Sequence, residues 1–408
     1  MLKTIKSVNL TTQIIIATIL GVLFGLLFQE QMTSFDLIGS IFLRLIQMSI
    51  VILVMGQIIE AVGQLNPKQL GKLGVKTFIV FIGTSILAAL FGVLMGLIFK
   101  PGSGVDSTLI VDGTIPEAST STFKDTLLGF FPNNIIQSMA EGSIIQVIVF
   151  AVLFGLAISY VRLEDPANQI LQVTVNFNAI VIKLISIIMK VAPIGIFFIL
   201  ASTVADLGVT ILLPLLKYLL IYALGTFIFL VGWLIVSSIY CRISMVKLIK
   251  KMSPMSIMAV TTTSSAITLP VTLRDSIEKL GISERIAKLV VPLGMTLNSN
   301  GAAMHMAITI ITISQIFGYA YSFSEYIYIA VLATLASLAN AVVPGAGLVS
   351  LSIVVPQMGL PAESILLFAG VEWFVGMLRT VLNVDSDALS ALMIAKSENE
   401  LDNQKYNT

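Results

Sequence analysis

The sequence is poor in almost everything from which redox centres, metal centres and nucleic-acid interfaces are built. Among 408 residues there is one cysteine, Cys241, and one histidine, His305. A single thiol excludes an intramolecular disulfide and any CxxC redox or zinc motif. A single imidazole excludes an HExxH metal centre, and a lone histidine flanked by Met304 and Met306 is a poor start for a Ser/His hydrolase. Charged side chains make up only 11% of the chain, and Lys+Arg 23 against Asp+Glu 22 leaves a net charge of +1. There is no basic field to hold a nucleic-acid backbone. Neither catalysis nor an organic cofactor is expected.

What the chain has instead is apolar surface. Hydrophobic residues reach 57% and the mean hydropathy is +1.00, well outside the range of soluble domains. The run from Leu213 to Ile239 exceeds the about 20 helical residues needed to cross a hydrocarbon core. The pattern predicts an all-α polytopic protein of the cell membrane, with spanning helices near 11–29, 38–63, 75–99, 142–161, 170–206, 211–240, 286–318 and 360–394. The basic start, MetLeuLysThrIleLysSer, leads into the first of these spans; no small-residue cleavage site follows at a leader's distance.

Two further apolar segments, about 250–282 and 325–358, are interrupted in the middle by polar or Pro/Gly clusters. They read as re-entrant hairpins, because non-helical backbone at membrane depth is tolerated only beside protein or a water-filled cavity. Helical hairpins that merely pack are the alternative. Lys3 and Lys6, then Lys68, Lys72 and Lys76, then Arg162, then Arg242, Lys247, Lys250 and Lys251 fall at alternate ends of successive helices. The positive-inside rule then places both termini in the cytoplasm. The long connection near 100–135, with Lys100 and Lys124, is the exception.

Between Lys288 and Lys396 the only basic residue is Arg379, deep in the last apolar segment. A guanidinium at that depth costs about 2.5–3.5 kcal/mol and must face a partner or a cavity. At the helical repeat, Glu372, Gly376, Arg379, Asn383 and Asp387 share one stripe. Arg379 either pairs internally with Glu372 or Asp387, or serves a ligand. Glu372, one turn before Gly376 on the same face, either supplies a carboxylate to the ligand in that residue's stead or, as its extra turn of distance favours, is a structural partner of a neighbouring helix. A second polar run, ThrLeuAsnSerAsnGly at 296–301, interrupts the preceding long helix. The hairpins centre on ThrThrThrSerSerAlaIleThrLeuPro at 261–270 and AlaAsnAlaValValProGlyAlaGly at 339–347. Hydroxyls and free backbone groups at half-helix ends hold carboxylates and desolvated alkali cations. In a regular helix Asn298, Ala302 and His305 would share a face. His305 is then either a neutral hydrogen-bonded packing residue or a titrating proton site.

Six stretches, in order, carry a resemblance: GlyValLysThrPheIleValPheIleGlyThrSer at 74–85, AlaProIleGlyIlePhe at 192–197, SerSerAlaIleThrLeuProValThr at 264–272, ValProLeuGlyMetThrLeuAsn at 291–298, ValProGlyAlaGly at 343–347 and ArgThrValLeuAsnVal at 379–384. Through nearly its whole length the chain resembles the dicarboxylate/amino acid:cation symporter family, which includes prokaryotic glutamate and aspartate transporters and the excitatory amino acid transporters. The resemblance implies eight transmembrane helices plus two re-entrant hairpins, a homotrimer and an elevator mechanism. It implies scaffold helices 1 and 2 in 1–63 and transport-domain helix 3 in 64–100. Scaffold helices 4 and 5, with an extracellular loop, would occupy 101–206, and the transport-domain core 207–408. The substrate site it implies comprises Ser264, Ser265, Val343, Gly347, Gly376, Arg379, Thr380 and Asn383. Arg379 would take a distal carboxylate, Asn383 the main carboxylate, and the hairpin tips at Ser265 and Val343 would offer backbone groups. Gly294, Asn298, Asn383 and Asp387 match one sodium site. Thr296, Ser299, Ser337, Leu338 and Asn340 match a second, and Thr84, Ser85 and Asn298 part of a third.

The departures from that pattern concern charge. Where the amino acid carriers have an aspartate for the substrate ammonium this chain has Gly376, and the neighbouring hairpin arginine is Thr263. Asn300 replaces the third cation site's carboxylate, and Ala302 a substrate-facing threonine. The resemblance implies sodium- or proton-coupled symport of a small carboxylate, with C4 dicarboxylates slightly ahead of glutamate or aspartate. A neutral amino acid or cystine is the alternative cargo. A passive ion channel, which would want a continuous polar pore, is the alternative from another class.

Overall fold

The computed structural model describes residues 10–33, 35–64, 67–103, 128, 131–208, 212–338 and 346–407. Among them there is no β-strand, only an isolated antiparallel bridge between Ile282 and Leu401. The helices used below are α1 (Leu10–Leu27), α2 (Asp36–Gln47), α3 (Ile50–Gly63), α4 (Pro67–Phe99), α5 (Ile144–Glu164), α6 (Ile170–Ile188), α7 (Ala192–Leu207) and α8 (Leu212–Cys241). They continue as α9 (Met245–Thr262), α10 (Ser265–Glu278), α11 (Glu284–Leu297), α12 (Asn300–Ile316), α13 (Phe323–Ser337), α14 (Ala346–Gln357) and α15 (Glu372–Ser397).

Among the described residues, Lys72–Phe99, Gln146–Glu164, Ile170–Ala205 and Leu212–Cys241 are long and apolar enough to cross a membrane. The sidedness of α8 shows how such a helix sits. Leu216, Leu220, Phe227, Ile235 and Ile239 are exposed along one stripe, while Tyr218, Tyr222, Gly225 and Thr226 are buried on the other. The exposed stripe has lipid as its natural solvent. Helix α12 behaves differently, since every residue from Asn300 to Ser314 is buried. Buried on every face despite carrying Asn300, His305, Thr309, Thr312 and Ser314, α12 lies in the middle of its neighbours and packs on α4, α8, α13, α14 and α15.

Several expected spans are broken. The segment 38–63 divides at Met48 and Ser49 into α2 and α3. The segment 170–206 passes through a 3-10 turn, Met189–Val191, before Pro193 restarts it near the N-terminus of α7, where proline loses no needed N–H. Asn298 (φ −121°, ψ 65°) and Ser299 (φ −95°, ψ 61°) separate α11 from α12. Asn298 therefore does not share a helical face with Ala302 and His305, which lie beyond the break. The last span begins in short turns, and its long helix starts at Glu372.

Helices α1 and α2 pack against α7, and α3 packs against α5 and α6. The α1–α7 approach is close because Gly21 and Gly25 face the carbonyl oxygens of Phe197 and Ala201, where a Cβ would not fit. In the second group α15 is central, touched by α8, α9, α10, α11 and α12, while α4 lies on α12 and α13. The pairs α9/α10 and α13/α14 occupy the two segments expected to be hairpins. The first turns at Thr263, whose φ of 49° is in the left-handed region, unusual for a β-branched residue. Ser264 then caps α10 by accepting from the Ile267 N–H at 3.4 Å. The turn of the second hairpin, 339–345, lies outside the described residues.

Candidate functional site

Arg379 sits on α15 with 3% of its surface exposed, and its Nη2 donates to Glu372 Oε1 at 2.9 Å. The partner is seven residues back on the same helix, two turns away on the same stripe. Of the two internal pairs weighed from the sequence, Glu372 forms and Asp387 does not. Glu372 also serves a neighbouring helix, as expected. The same Oε1 accepts the backbone N–H of Gly347 at 2.9 Å, which ties the first turn of α14 to α15. A Cβ at position 347 would overlap both the Arg379 guanidinium and the Glu372 carboxylate. Glycine is thus required by the close approach.

The pair is only half satisfied. Arg379 Nη1, Glu372 Oε2 and His305 Nε2 are buried without a hydrogen-bond partner, and His305 Nε2 lies 4.0 Å from Glu372 Oε2. On its other side His305 Nδ1 is 2.5 Å from the Tyr218 hydroxyl and 3.3 Å from Thr309 Oγ1. Tyr222 donates to the Gly301 carbonyl at 3.0 Å. Gly301 in turn donates its N–H to Asn383 Oδ1 at 2.7 Å, so the first turn of α12 is latched onto α15. Thr380 donates to the Gly376 carbonyl at 2.8 Å.

Beside the pair is a cleft whose lining includes Thr263, Gly376, Glu372 and Trp373 from one group of helices and Ile14 and Phe42 from the other. A Cβ on Gly376 would meet only Arg379 Nη2, at 3.6 Å, so position 376 has room for a side chain. Ser264 and Ser265 sit at the start of α10 next to this turn, both buried. Val343 and Asn340 lie outside the described residues.

One helical turn or two beyond Arg379 is an oxygen-rich cluster. Asn298 Nδ2 donates to Asp387 Oδ1 at 2.9 Å, and Thr84 donates to Asn298 Oδ1 at 3.0 Å. Ser85 donates to Asn300 Oδ1 at 2.9 Å. Gly294 faces Asp387 so closely that a Cβ would lie 2.5 Å from its Oδ1. The break between α11 and α12 thus brings Thr84, Ser85, Gly294, Asn298, Asn300 and Asp387 together, with hard oxygen donors of the kind alkali cations take. Thr296 and Ser337 are instead occupied locally, donating to the carbonyls of Leu293 at 3.0 Å and Thr334 at 2.7 Å. Ser299 precedes α12 and Leu338 follows α13, and among the described residues no hydrogen bond joins these two groups. Among the described residues no cluster of three or more His, Cys, Asp or Glu could hold a transition metal.

Some participants were not anticipated. Asp385 is buried, and both its oxygens lie 2.9 Å from Ser256 Oγ of α9. An acid inside an expected apolar span is itself a warning. Two residues from Asp387, it points about 200° away around the helix. Tyr218 and Tyr222 carry no sequence signal, because a tyrosine in an apolar helix looks like any core aromatic.

The profile of the Sodium:dicarboxylate symporter family matches residues 10–397. A proton/glutamate-aspartate symporter of Bacillus subtilis is 32% identical over 95% of this chain and 94% of that protein. A symporter of the same description from Escherichia coli is 32% identical over 99% and 96%. A C4-dicarboxylate transport protein of Bacillus subtilis is 27% identical over 97% and 95%. By the family match over nearly its whole length and by these relatives, the chain belongs to the sodium:dicarboxylate symporter family, whose members are membrane transporters and not enzymes.

Proposed function

We propose that this protein moves a small carboxylate, either a C4 dicarboxylate or an acidic amino acid, across the cell membrane in symport with sodium or a proton. The observation that carries this is Arg379, buried on α15 beside a cleft and only half satisfied by Glu372. A second carboxylate has two guanidinium N–H groups to dock on, and Gly376 leaves space next to them. Family membership supplies the class of process, and the relatives named for glutamate-aspartate and for C4-dicarboxylates bracket the cargo.

In this reading the chain has eight transmembrane helices and two re-entrant hairpins. The segments 1–63 and 101–206 form a fixed scaffold, while 64–100 and 207–408 form a transport domain that slides as an elevator within a homotrimer. Both termini are cytoplasmic. Substrate lies among Ser264, Ser265, Val343, Gly347, Gly376, Arg379, Thr380 and Asn383. The cation sites lie at Gly294, Asn298, Asn383 and Asp387, at Thr296, Ser299, Ser337, Leu338 and Asn340, and around Thr84 and Ser85.

One observation favours a second cargo. If Glu372 stays on Arg379, the site is electrically neutral and suits a neutral amino acid or cystine. A thermal-shift screen separates the two. At 100 times its dissociation constant a true ligand adds about 2.7 kcal/mol of stability. Stabilisation by succinate, malate, aspartate or glutamate, enhanced by sodium or by acid, is the expected outcome. A response to serine or cystine alone would reverse the order.

A further inference from the structure

We infer that Glu372 is a tethered competitor for the substrate's carboxylate, and that once displaced from Arg379 it accepts a proton that travels with the substrate. The inference rests on the carboxylate-symport reading above and names the residue through which it is proton-coupled.

The geometry is that of a ligand site already holding one carboxylate. Glu372 Oε1 accepts from Arg379 Nη2 and from the Gly347 N–H, each at 2.9 Å. A guanidinium on one side and a hairpin amide on the other is what an incoming carboxylate would need. Glu372 Oε2, Arg379 Nη1 and His305 Nε2 remain unpartnered in the same buried space.

Charge balance dictates the rest. With Glu372 ionised the pair sums to zero, so bound L-aspartate would leave one uncompensated negative charge and bound succinate two, in a medium where that is heavily penalised. A proton on Glu372 cancels one of these, and for succinate the co-transported cation must offset the other. The groups facing Glu372 offer little relief. Arg379 is on its own helix. From α12 comes His305, with its Nε2 4.0 Å away. From α8 come Tyr218 and Tyr222, both within its electrostatic reach. From α14 there is only the Gly347 amide, and the cleft wall adds Thr263 and apolar side chains such as Ile14 and Phe42. None of these brings a second fixed positive charge. The proton comes from bulk water on the loading side, bonds to a Glu372 oxygen as the Arg379 contact breaks, and leaves to water on the other side when Glu372 returns to Arg379. The Tyr218 hydroxyl and His305 Nδ1 share a hydrogen bond; in the tautomer in which Nδ1 accepts, the Nε2–H faces Glu372 Oε2 at 4.0 Å and serves the freed glutamic acid as a donor.

The test uses the purified full-length chain, with succinate and L-aspartate as probes. Calorimetry is run at fixed sodium between pH 6 and 8, in pairs of buffers that differ in protonation enthalpy. The wild type should take up about one proton per probe bound, and its affinity should fall up to about tenfold per pH unit over the range where uptake occurs. Glu372→Gln imitates the protonated state; it should take up no proton and bind equally well at every pH. His305→Gln should retain the uptake. A wild type that binds either probe without proton uptake anywhere in this range overturns the inference and leaves the symport reading standing. Uptake that persists in Glu372→Gln overturns it as well. If neither probe nor any other small carboxylate binds, the functional reading fails and takes this inference with it. Should Glu372→Gln not fold, the wild-type proton count still decides.

Discussion

Arg379 sets the chemistry at the scale of single residues. Removing one member of a buried pair leaves the other charge uncompensated, at a cost of about 3–5 kcal/mol. In the proposed complex Arg379 pairs with the substrate carboxylate, so Arg379→Ala, losing that pair on the same scale of about 3–5 kcal/mol, is expected to lower affinity for succinate or aspartate by about two to four decades, measured as uptake and as calorimetric affinity. Replacing both partners by apolar residues, Arg379→Met with Glu372→Leu, should restore thermal stability to near the wild-type value without restoring binding, since an isosteric apolar pair is often neutral for folding. Near-normal carriage of the acid by Arg379→Ala would reduce the pair to a packing device. Asp387 belongs to a different site. Asp387→Asn should weaken cation dependence more than the substrate contact, with binding partly recovered at saturating sodium. Arg379 was legible in the sequence because it is the only basic residue from 289 to 395. The Glu372 contact was legible as one of two pairs, and the helical repeat could not choose between them. Choosing needs the side-chain direction and the amide of Gly347, which arrives from residues far along the chain.

The elements explain why the site is where it is. The helix pairs α9/α10 and α13/α14 were visible as apolar segments interrupted by polar or Pro/Gly clusters, and the break at Asn298 as a polar run inside an apolar one. The split at Met48 and Ser49 had no such mark, since neither Gly nor Pro sits there. The 3-10 turn at Met189–Val191 announces itself only through Pro193. The first hairpin turn and α15 place Thr263 and Gly376 on one cleft, and this juxtaposition makes a selectivity prediction. A substrate ammonium buried there without a carboxylate partner loses solvation uncompensated. The wild type should prefer dicarboxylates lacking the amine. Gly376→Asp combined with Thr263→Arg should shift preference toward aspartate or glutamate, read as the ratio of competitive inhibition constants against succinate. If the unmodified protein binds aspartate at least as tightly as every dicarboxylate tested, backbone carbonyls of the hairpins hold the amine instead.

Across the whole molecule, the C-terminal segment is clipped back onto the turn between α10 and α11. Ser283 N–H donates to the Glu400 carbonyl at 3.1 Å, Asp402 N–H to the Gly281 carbonyl at 2.8 Å, and Tyr406 is buried. The Glu400 carboxylate is hydrogen-bonded and ion-paired to Arg285 and hydrogen-bonded to Ser283, and these contacts hold its carboxyl below the usual range. A lowered carboxyl contributes stability that is fully present above the ordinary glutamate value and is lost as pH falls through the lowered one. The clip should loosen only in acid below about pH 4. Because the pair lies at the surface, Glu400→Gln should cost at most about 1 kcal/mol at neutral pH, read by thermal denaturation. The Gly376 cleft is lined both by helices packed on α7 and by helices packed on α15, and the proposed transport depends on the relation between them. The measurement that tests it most directly is uptake of labelled succinate and aspartate into proteoliposomes holding the purified protein, with inward sodium and proton gradients imposed separately and together. Accumulation above the external concentration, only while a cation gradient is present and abolished by Arg379→Ala, is the expected result. Equilibration to equal concentrations regardless of any cation gradient, or accumulation untouched by Arg379→Ala, would contradict it.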